Sequence, residues 1–426
     1  MAHLQDHPLR YQLINELHAR PFPVLEAPCR AVYLAIKPAV NAVGRDREAD
    51  RAHLIALLDR YGATHPQPGA THYFGEIGKY RLKWESHTEF VTYTLFEDGL
   101  GKSAFDTRDF EAFPADWLAE APGVVTTSAQ IRVEQDLDQS VIAQKVDEWF
   151  VSESLAVSSV LDESAVIAGD FRLDAAGHMR FAVFTTSETG ARRVGRIVQR
   201  VCEIETYKTM SMLGLTRVRE LGPQIGNIDV RLNSLMSDTT GTMTDPAETL
   251  EALLKVSSEL ETILAQSSFR FGATGAYEAL VNQRTHILRE ERFDGRQTFA
   301  EFMMRRFDPA MRTVKSTEER LKTLADRAMR AGDLLRTRVD VERSAQNQKL
   351  LESMDRRADA QLKLQRTVEG FSVAAISYYA VNLLGYLLYP FADGMGLSKG
   401  MTLAILTPIV LLSVFIVVRR MRDRID

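Results

Sequence analysis

Residues 368–418, VEGFSVAAISYYAVNLLGYLLYPFADGMGLSKGMTLAILTPIVLLSVFIVV, decide the fold of this chain of 426 residues. The apolar run at 368–389 carries one charge, Glu369, and the run at 400–418 carries none. Each approaches the roughly 20 residues that a helix needs to cross about 30 Å of hydrocarbon. Because only helices and closed barrels satisfy the backbone in lipid, the two runs predict a transmembrane helical hairpin with a short outer loop. The alternative is a helical hairpin buried in a soluble core.

Basic residues flank these runs on the sides away from the turn. Four of them lie within residues 356–366 and four arginines lie within residues 419–424, whereas the turn carries only Asp393 and Lys399. Since positive charge near spans stays in the cytoplasm, a multi-pass protein with cytoplasmic N- and C-termini is predicted. Residues 1–20 lack the apolar core of a secretion signal, which agrees with a cytoplasmic body.

The sequence before the hairpin predicts a mixed α/β body. Strand-like runs such as 30–36 and 90–96 are rich in β-branched and aromatic residues, and the stretch at 47–61 has the spacing of an amphipathic helix. Residues 174–177, DAAG, are typical of a hairpin turn. The fold class that follows is an α+β cytoplasmic domain joined to a helical membrane segment.

From Thr189 onward the pattern is helical. The dipeptide Gly222–Pro223 and the glycines Gly272 and Gly275 are predicted to interrupt the helices. The last helix of this layer is predicted over residues 277–293.

A very long helix is predicted between the helical layer and the membrane. Residues 309–366 contain no proline after Pro309 and one glycine, Gly332, so that a continuous helix would be about 85 Å long. Such a length is typical of a coiled coil or stalk; two helices broken near Gly332 are the alternative. The predicted organisation is an α/β domain (1–187), a helical layer (188–308), a stalk helix (309–367), two spans (368–389 and 400–418, within 368–418) and a basic cytoplasmic tail (419–426).

Composition and motifs favour no enzyme and no cofactor. The net charge of −5 gives no reason to expect a nucleic-acid partner. Cys29 and Cys202 are predicted to be free thiols in a cytoplasmic body, and the histidines lack zinc-ligand spacing. The segment 97–103, EDGLGKS, is predicted to be a turn rather than a phosphate-binding loop, because Phe96 stands where the first glycine would be required.

This layout of body, stalk helix and C-terminal two-span hairpin resembles the CorA-type magnesium transporters and their zinc-transporting relatives. The resemblance implies a homopentamer whose first span lines a pore, with Mg²⁺ or another divalent cation as the transported ion rather than a cofactor. The Gly-x-Asn signature of that family is present in part, as Ala380-Val381-Asn382, and its acidic outer loop is reduced to Asp393.

The N-terminus resembles a different group. The stretches HPLR at 7–10 and NELHARPF at 15–22 look like the signature of an uncharacterised, membrane-anchored bacterial protein family known only as a domain of unknown function. This resemblance extends over the full chain and implies no activity. A bacterial protein with the predicted spans is expected in the inner membrane.

Polar side chains recur at three-four spacing along the first span. Polar groups in spans usually face a bundle interior or a cavity. Five copies of Asn382 would form a ring of amide oxygens suited to a hydrated divalent cation. The sequence identifies no other residues that would bind the metal ion. The alternative is hydrogen bonding across helices in a non-conducting oligomer. The predicted pore-lining residues are Tyr378, Tyr379, Asn382, Tyr386 and Tyr389.

A basic collar is predicted at the cytoplasmic end of the hairpin, formed by Arg366, Arg419 and Arg420. It would attract anionic lipid headgroups. It would also repel cations in a pore, so a channel that conducts anions is an alternative form of the channel hypothesis. The leading expectation is a CorA-like homo-oligomeric ion channel or transporter. The competing class is a membrane-anchored scaffold or sensor without transport activity.

Overall fold

A mixed β-sheet organises the first of two structural units, and the α+β class predicted from the sequence is confirmed. The first unit comprises Met1–Thr242 and Glu251–Ala331, and the second comprises Met243–Leu250 and Gly332–Asp426. The structure is a computed structural model. It describes residues 5–11, 13–14, 21–39, 44–135, 138–240, 245–395 and 397–422.

All strands of the described residues belong to one sheet. They are β1 (Cys29–Lys37), β2 (His72–Ile77), β3 (Tyr80–Ser86), β4 (Val91–Asp98), β5 (Val124–Gln135), β6 (Ala156–Val160), β7 (Ala165–Gly169), β8 (Met179–Thr185) and β9 (Glu291–Arg292). Their order is β2-β3-β4-β1-β5-β8-β7-β6-β9. Neighbours pair antiparallel except β5 and β8, which pair in parallel.

The helices follow in chain order around and after this sheet. They are α1 (Arg47–Arg60), α2 (Ala115–Ala119), α3 (Gln139–Trp149), α4 (Ala191–Thr240), α5 (Pro246–Ile287), α6 (Phe299–Arg306), α7 (Asp308–Asp393) and α8 (Lys399–Arg422), with a 3-10 helix at Thr107–Ala112. The Asp46 carboxylate caps α1 by accepting from the amides of Glu48 and Ala49 at 3.0 and 3.1 Å. Such caps satisfy donors that a helix start leaves free.

Among the described residues, two apolar clusters pack against the sheet. One lies where α1 and α2 cover strands β1–β4, with Leu57, Trp84 and Trp117 fully buried. The other lies where α3 packs on β6–β8 around Val146 and Ala182. Full burial of a Val or Leu side chain stabilises the fold by roughly 1.5–3 kcal/mol, so these clusters hold the helices on the sheet.

The predicted interruptions of the helical layer are wrong. Helix α4 runs through Gly222–Pro223 and α5 runs through Gly272 and Gly275. A proline in a helix removes one hydrogen bond and a glycine costs about 1 kcal/mol. The buried side chains next to these positions offset that cost, since Leu221 and Ile225 are 2% and 1% exposed.

The helix predicted over residues 277–293 is also too long. Helix α5 ends at Ile287, Arg289 adopts a left-handed backbone with φ of 49°, and β9 then pairs with β6. Helix α6 follows and opens with a reciprocal cap. The Thr298 hydroxyl accepts from the amide of Glu301 at 3.1 Å, while the Glu301 carboxylate accepts from the amide of Thr298 at 3.0 Å.

Helix α7 is continuous across Gly332, as predicted, and the alternative of two helices broken there does not occur. It includes the predicted stalk residues 309–367 and the first predicted span, and it continues through Pro390 to Asp393. The turn before α8 is therefore shorter than the sequence predicts. The boundaries of the predicted domains, and a stalk role for α7, stay predictions. Pro8 and Pro21 predict a short helix that begins near Pro8 and ends near Arg20. Residues 10–11 and 13–14 are helical, and residues 12 and 15–20 lie outside the described residues.

Candidate functional site

The C-terminal part of α7 and helix α8 are long enough and apolar enough to span a membrane. The most apolar windows have mean hydropathies of 1.5 and 2.7, and only 6% and 11% of their residues are buried. Helices of a soluble core would be mostly buried, so this exposure favours membrane association.

The two apolar helices pack closely against each other. A Cβ atom on Gly385 of α7 would lie 2.8 Å from Cδ2 of Leu403 in α8. Ser377 and Val410 are buried in the same unit, at 3% and 5% exposure. Small residues let helix backbones approach in this way. Gly385 therefore lies on the face of α7 that α8 covers.

Three of the predicted pore-lining residues are largely exposed, and Asn382 is half-buried. The side chains of Tyr378, Tyr379 and Tyr386 are 68%, 72% and 73% exposed. The Asn382 amide nitrogen donates to the backbone carbonyl of Tyr378 at 2.9 Å. The rings of Tyr378 and Tyr379 meet edge to face at 5.8 Å. The side chain of Tyr389 lies outside the described part of the chain.

Charged residues mark both ends of this helical pair. Asp393 is the last residue of α7, and Lys399, the first of α8, places its ammonium 5.7 Å from the centre of the Tyr386 ring. At the other end, the predicted collar residues Arg366, Arg419 and Arg420 are all exposed. The orientation of the hairpin and the pore stay predictions.

The body holds a buried polar layer that the sequence analysis missed. It lies between the sheet and α4, on the face of β3 opposite Trp84. The Lys83 ammonium donates to the Gln199 side chain at 2.6 Å and lies 3.1 Å from the Glu85 carboxylate. Gln199 in turn donates to the Glu203 carboxylate at 2.7 Å. This chain of polar contacts fixes α4 on the sheet.

A small cavity of about 20 Å³ lies inside this polar layer, lined in part by Tyr33, Cys202 and Tyr207. Its volume suits one water molecule and no organic ligand. The Thr206 hydroxyl donates to the Tyr33 hydroxyl at 2.8 Å beside it. The layer is therefore a structural contact between sheet and helix rather than a substrate pocket.

A second group of buried charges surrounds the turn between β3 and β4. The Arg45 guanidinium lies 3.0 Å from the Asp50 carboxylate, with side-chain exposures of 3% and 4%. Arg45 also donates to the backbone carbonyl of His87 at 2.7 Å. Burial raises the pKa of Asp50, against the lowering effect of Arg45. Arg270 of α5 pairs with Glu89, which is 1% exposed.

The thiols and histidines form no reactive site in the described residues. Cys29 and Cys202 are free, as predicted, and both are buried. Burial raises the pKa of Cys29 to about 12 and that of Cys202 still further. Thiolates, not thiols, are nucleophiles, so both sulfurs are unreactive. No group of three or more His, Cys, Asp or Glu side chains suited to a metal occurs among the residues described.

Two exposed histidines, His7 and His65, have separate partners. His65 lies 2.7 Å from the Asp59 carboxylate, and the His7 ring accepts from the amide of Leu9 at 3.2 Å. His3 and His18 lie outside the described residues. Each of these imidazole rings therefore has a hydrogen-bond partner within the protein.

Comparison with known proteins gives one match. A family model described as "Protein of unknown function (DUF3422)" matches residues 5–425, nearly the whole chain. Neither a curated protein nor a solved structure matches the chain.

Proposed function

The chain belongs to the DUF3422 family, and for this member we propose a CorA-like homo-oligomeric ion channel or transporter, for divalent cations. In this proposal the C-terminal part of α7 and helix α8 cross the bacterial inner membrane, with both termini in the cytoplasm. The first span of each subunit then lines the pore.

One observation carries the proposal: helix α8 leaves the mid-span phenols of α7 uncovered. Tyr378 and Tyr379 lie near the middle of the segment 368–389 and are about 70% exposed. A phenol in the middle of hydrocarbon lacks a hydrogen-bond partner, so polar groups at that depth usually face other helices or a water-filled cavity. Further copies of this helix around a central axis would supply both, and Asn382 would then lie close to that axis.

The anchor hypothesis rests on a different observation. The Asn382 amide nitrogen already donates to a carbonyl of its own helix, so this donor is satisfied without a pore ion or water. The exposed arginines of the collar would also repel cations at the cytoplasmic end. In this alternative the hairpin only tethers a scaffold or sensor body to the membrane, and the phenols hydrogen-bond between subunits.

The mass of the protein in detergent separates these possibilities first. A pentamer would have about five times the 47.9 kDa of one chain, after the micelle is subtracted. A monomer or dimer cannot enclose a pore with one such helix per chain, and that mass would overturn the channel proposal.

Ion flux in proteoliposomes then tests the proposed lining. Asn382→Ala should abolish flux of Mg²⁺, or shift it strongly. Leu384→Ala, an apolar position 37% exposed on the opposite face of α7, should leave it near wild type. Equal flux in both variants, or no flux of any ion in a verified pentamer, would favour the anchor hypothesis.

A further inference from the structure

Four arginines gather where the start of α4 meets the end of α5. Arg196 and Arg200 lie one turn apart on α4, Arg284 is in the last turn of α5, and Arg289 follows two residues after that helix. An ion pair between Arg284 and Glu203 joins the two helices at this point. All of these residues belong to the first structural unit, so the cluster is independent of the proposed pore.

The acids near this cluster are already engaged. Glu203 accepts from both Arg284 and Gln199, and Asp162 lies 2.7 Å from the Arg289 guanidinium. Arg196 and Arg200 are half-buried, and neither forms an ion pair or hydrogen bond with any residue that the structure describes. The Nε atom of Arg196 is buried and has no partner within the described chain.

Arg200 lies in an electrostatically unfavourable position. Burial lowers the pKa of Arg200, and repulsion from Arg196, Arg284 and Arg289 lowers it further, against a raising effect of Glu203. A half-buried charge is costly when it has no counter-ion, and like charges nearby increase that cost. Two positive charges in this cluster therefore lack an ion-pair partner among the described residues, and Glu203 offsets that of Arg200 only in part.

We propose that Arg196, Arg200 and Arg284 bind a phosphate-bearing dianion, such as inorganic phosphate or a phosphate monoester. The planar guanidinium donates two parallel hydrogen bonds to phosphate oxygens, a geometry that lysine cannot match. Two positive charges without an ion-pair partner match a phosphate group, which carries about −1.5 to −2 near neutral pH, better than a single carboxylate. A lipid headgroup with a phosphodiester presents the same oxygens but only one charge.

Thermal melting and titration calorimetry of the full chain in detergent test this site. Inorganic phosphate and pyrophosphate, each added against chloride at constant ionic strength, should raise the melting temperature of the wild type. Arg200→Gln should weaken this binding by roughly tenfold or more, the effect of losing one charged hydrogen bond. Arg219→Gln removes an exposed arginine elsewhere on α4 and should bind as the wild type does.

A second readout does not depend on the ligand. Without anion, Arg200→Gln should melt at the same or a higher temperature than the wild type, because it removes repulsion. If that variant does not fold, Arg200→Lys keeps the charge, loses the planar fork and should show weakened binding. A second experiment uses vesicles with and without phosphatidylglycerol. If binding that depends on Arg200 occurs with the phosphatidylglycerol vesicles but not with free phosphate or pyrophosphate, the ligand is a lipid headgroup. The proposed site would be overturned if the wild type bound none of phosphate, pyrophosphate and vesicles. It would also be overturned if Arg200→Gln bound them as the wild type does.

Discussion

The backbone carbonyl of Pro23 lies directly against Gly195 in the second turn of α4, where any side chain at position 195 would overlap the carbonyl oxygen. The amide of Leu25 donates to the carbonyl of Ala191 at 3.1 Å in the same region. The residues that follow the N-terminal signature are therefore held on α4 by direct backbone contact, and glycine at 195 is what permits it.

Gly195→Ala should destabilise the body because the added methyl group meets backbone atoms that cannot move independently. Overpacking of this kind costs about 1–3 kcal/mol, so the melting temperature should fall. Exchange of the Leu25 amide, which donates to Ala191, should accelerate. Gly226→Ala, in the same helix with no atom within 4 Å of its Cβ position, is the matched control. It should stabilise the helix by up to about 1 kcal/mol. Equal melting temperatures for the two variants would contradict the proposed contact.

The buried pair Arg45–Asp50 should matter far more than a surface pair of the same chemistry. Asp50→Ala leaves the Arg45 charge buried without a partner, which costs about 3–5 kcal/mol. Glu259→Ala breaks the exposed pair with Arg231, whose side chains are 43% and 49% exposed, and should cost less than about 1 kcal/mol. Thermal melts of both variants measure the difference in stability. Similar losses of stability in the two variants would contradict the burial of the Arg45–Asp50 pair.

Stability of the body should fall as the pH falls below about 6.5. Burial lowers the pKa of His53, which stacks on Trp117 at 3.9 Å, and burial also lowers the pKa of His178. The unfolded state binds protons first, so the contribution of each histidine is complete above the unfolded pKa and is lost as pH falls toward the folded pKa.

Melting temperatures between pH 5 and pH 7 check this effect of the histidines. His53→Gln should flatten the dependence relative to the wild type, while His65→Gln, at an exposed position, should not. A wild-type melting temperature that is constant over this range would contradict a neutral, buried His53.

The sequence predicts the strands and the apolar helices well, because both depend on local patterns. The runs at 30–36 and 90–96 correspond to β1 and β4, and DAAG at 174–177 forms the turn before β8. In that turn the Asp174 carboxylate accepts from the amides of Ala176 and His178, both at 2.9 Å. Length and composition alone also locate the two membrane-competent helices.

The continuity of α4 and α5 could not be predicted in this way. Gly222–Pro223 and Gly272 disfavour a helix locally, and only packing partners distant in sequence offset that preference. At the crossing of these helices, a Cβ atom on Gly214 would lie 2.9 Å from Cγ2 of Thr274. Gly214 lets the two helices approach closely and does not form a turn. A single sequence does not distinguish these two uses of a glycine. The capping box at Thr298–Glu301 was visible in the sequence and would have located α6.

The buried polar layer escaped prediction for a related reason. In β3 the charged residues Lys83 and Glu85 alternate with Leu82 and Trp84, and such alternation normally indicates one face in solvent. Helix α4 covers that face and supplies Gln199 as a partner. No local pattern distinguishes a solvated polar face from one that a distant helix covers.

Membrane topology can be measured with single cysteines because the two native thiols should not react. Cys29 and Cys202 are 1% and 3% exposed, and their raised pKa values keep them protonated at neutral pH. A maleimide that cannot cross membranes should therefore label the wild type only after denaturation. Labelling of the native wild-type protein would contradict the burial of these thiols.

In that background, Asp393→Cys should be labelled by the same reagent in intact spheroplasts, since the turn between α7 and α8 is proposed to lie outside. Arg420→Cys, at the basic end of α8, should be labelled only after the membrane is opened, because positive charge is retained on the cytoplasmic side. The reverse pattern would invert the proposed topology. Labelling of both positions in intact spheroplasts would show that the hairpin does not cross the membrane with its turn outside and its termini inside.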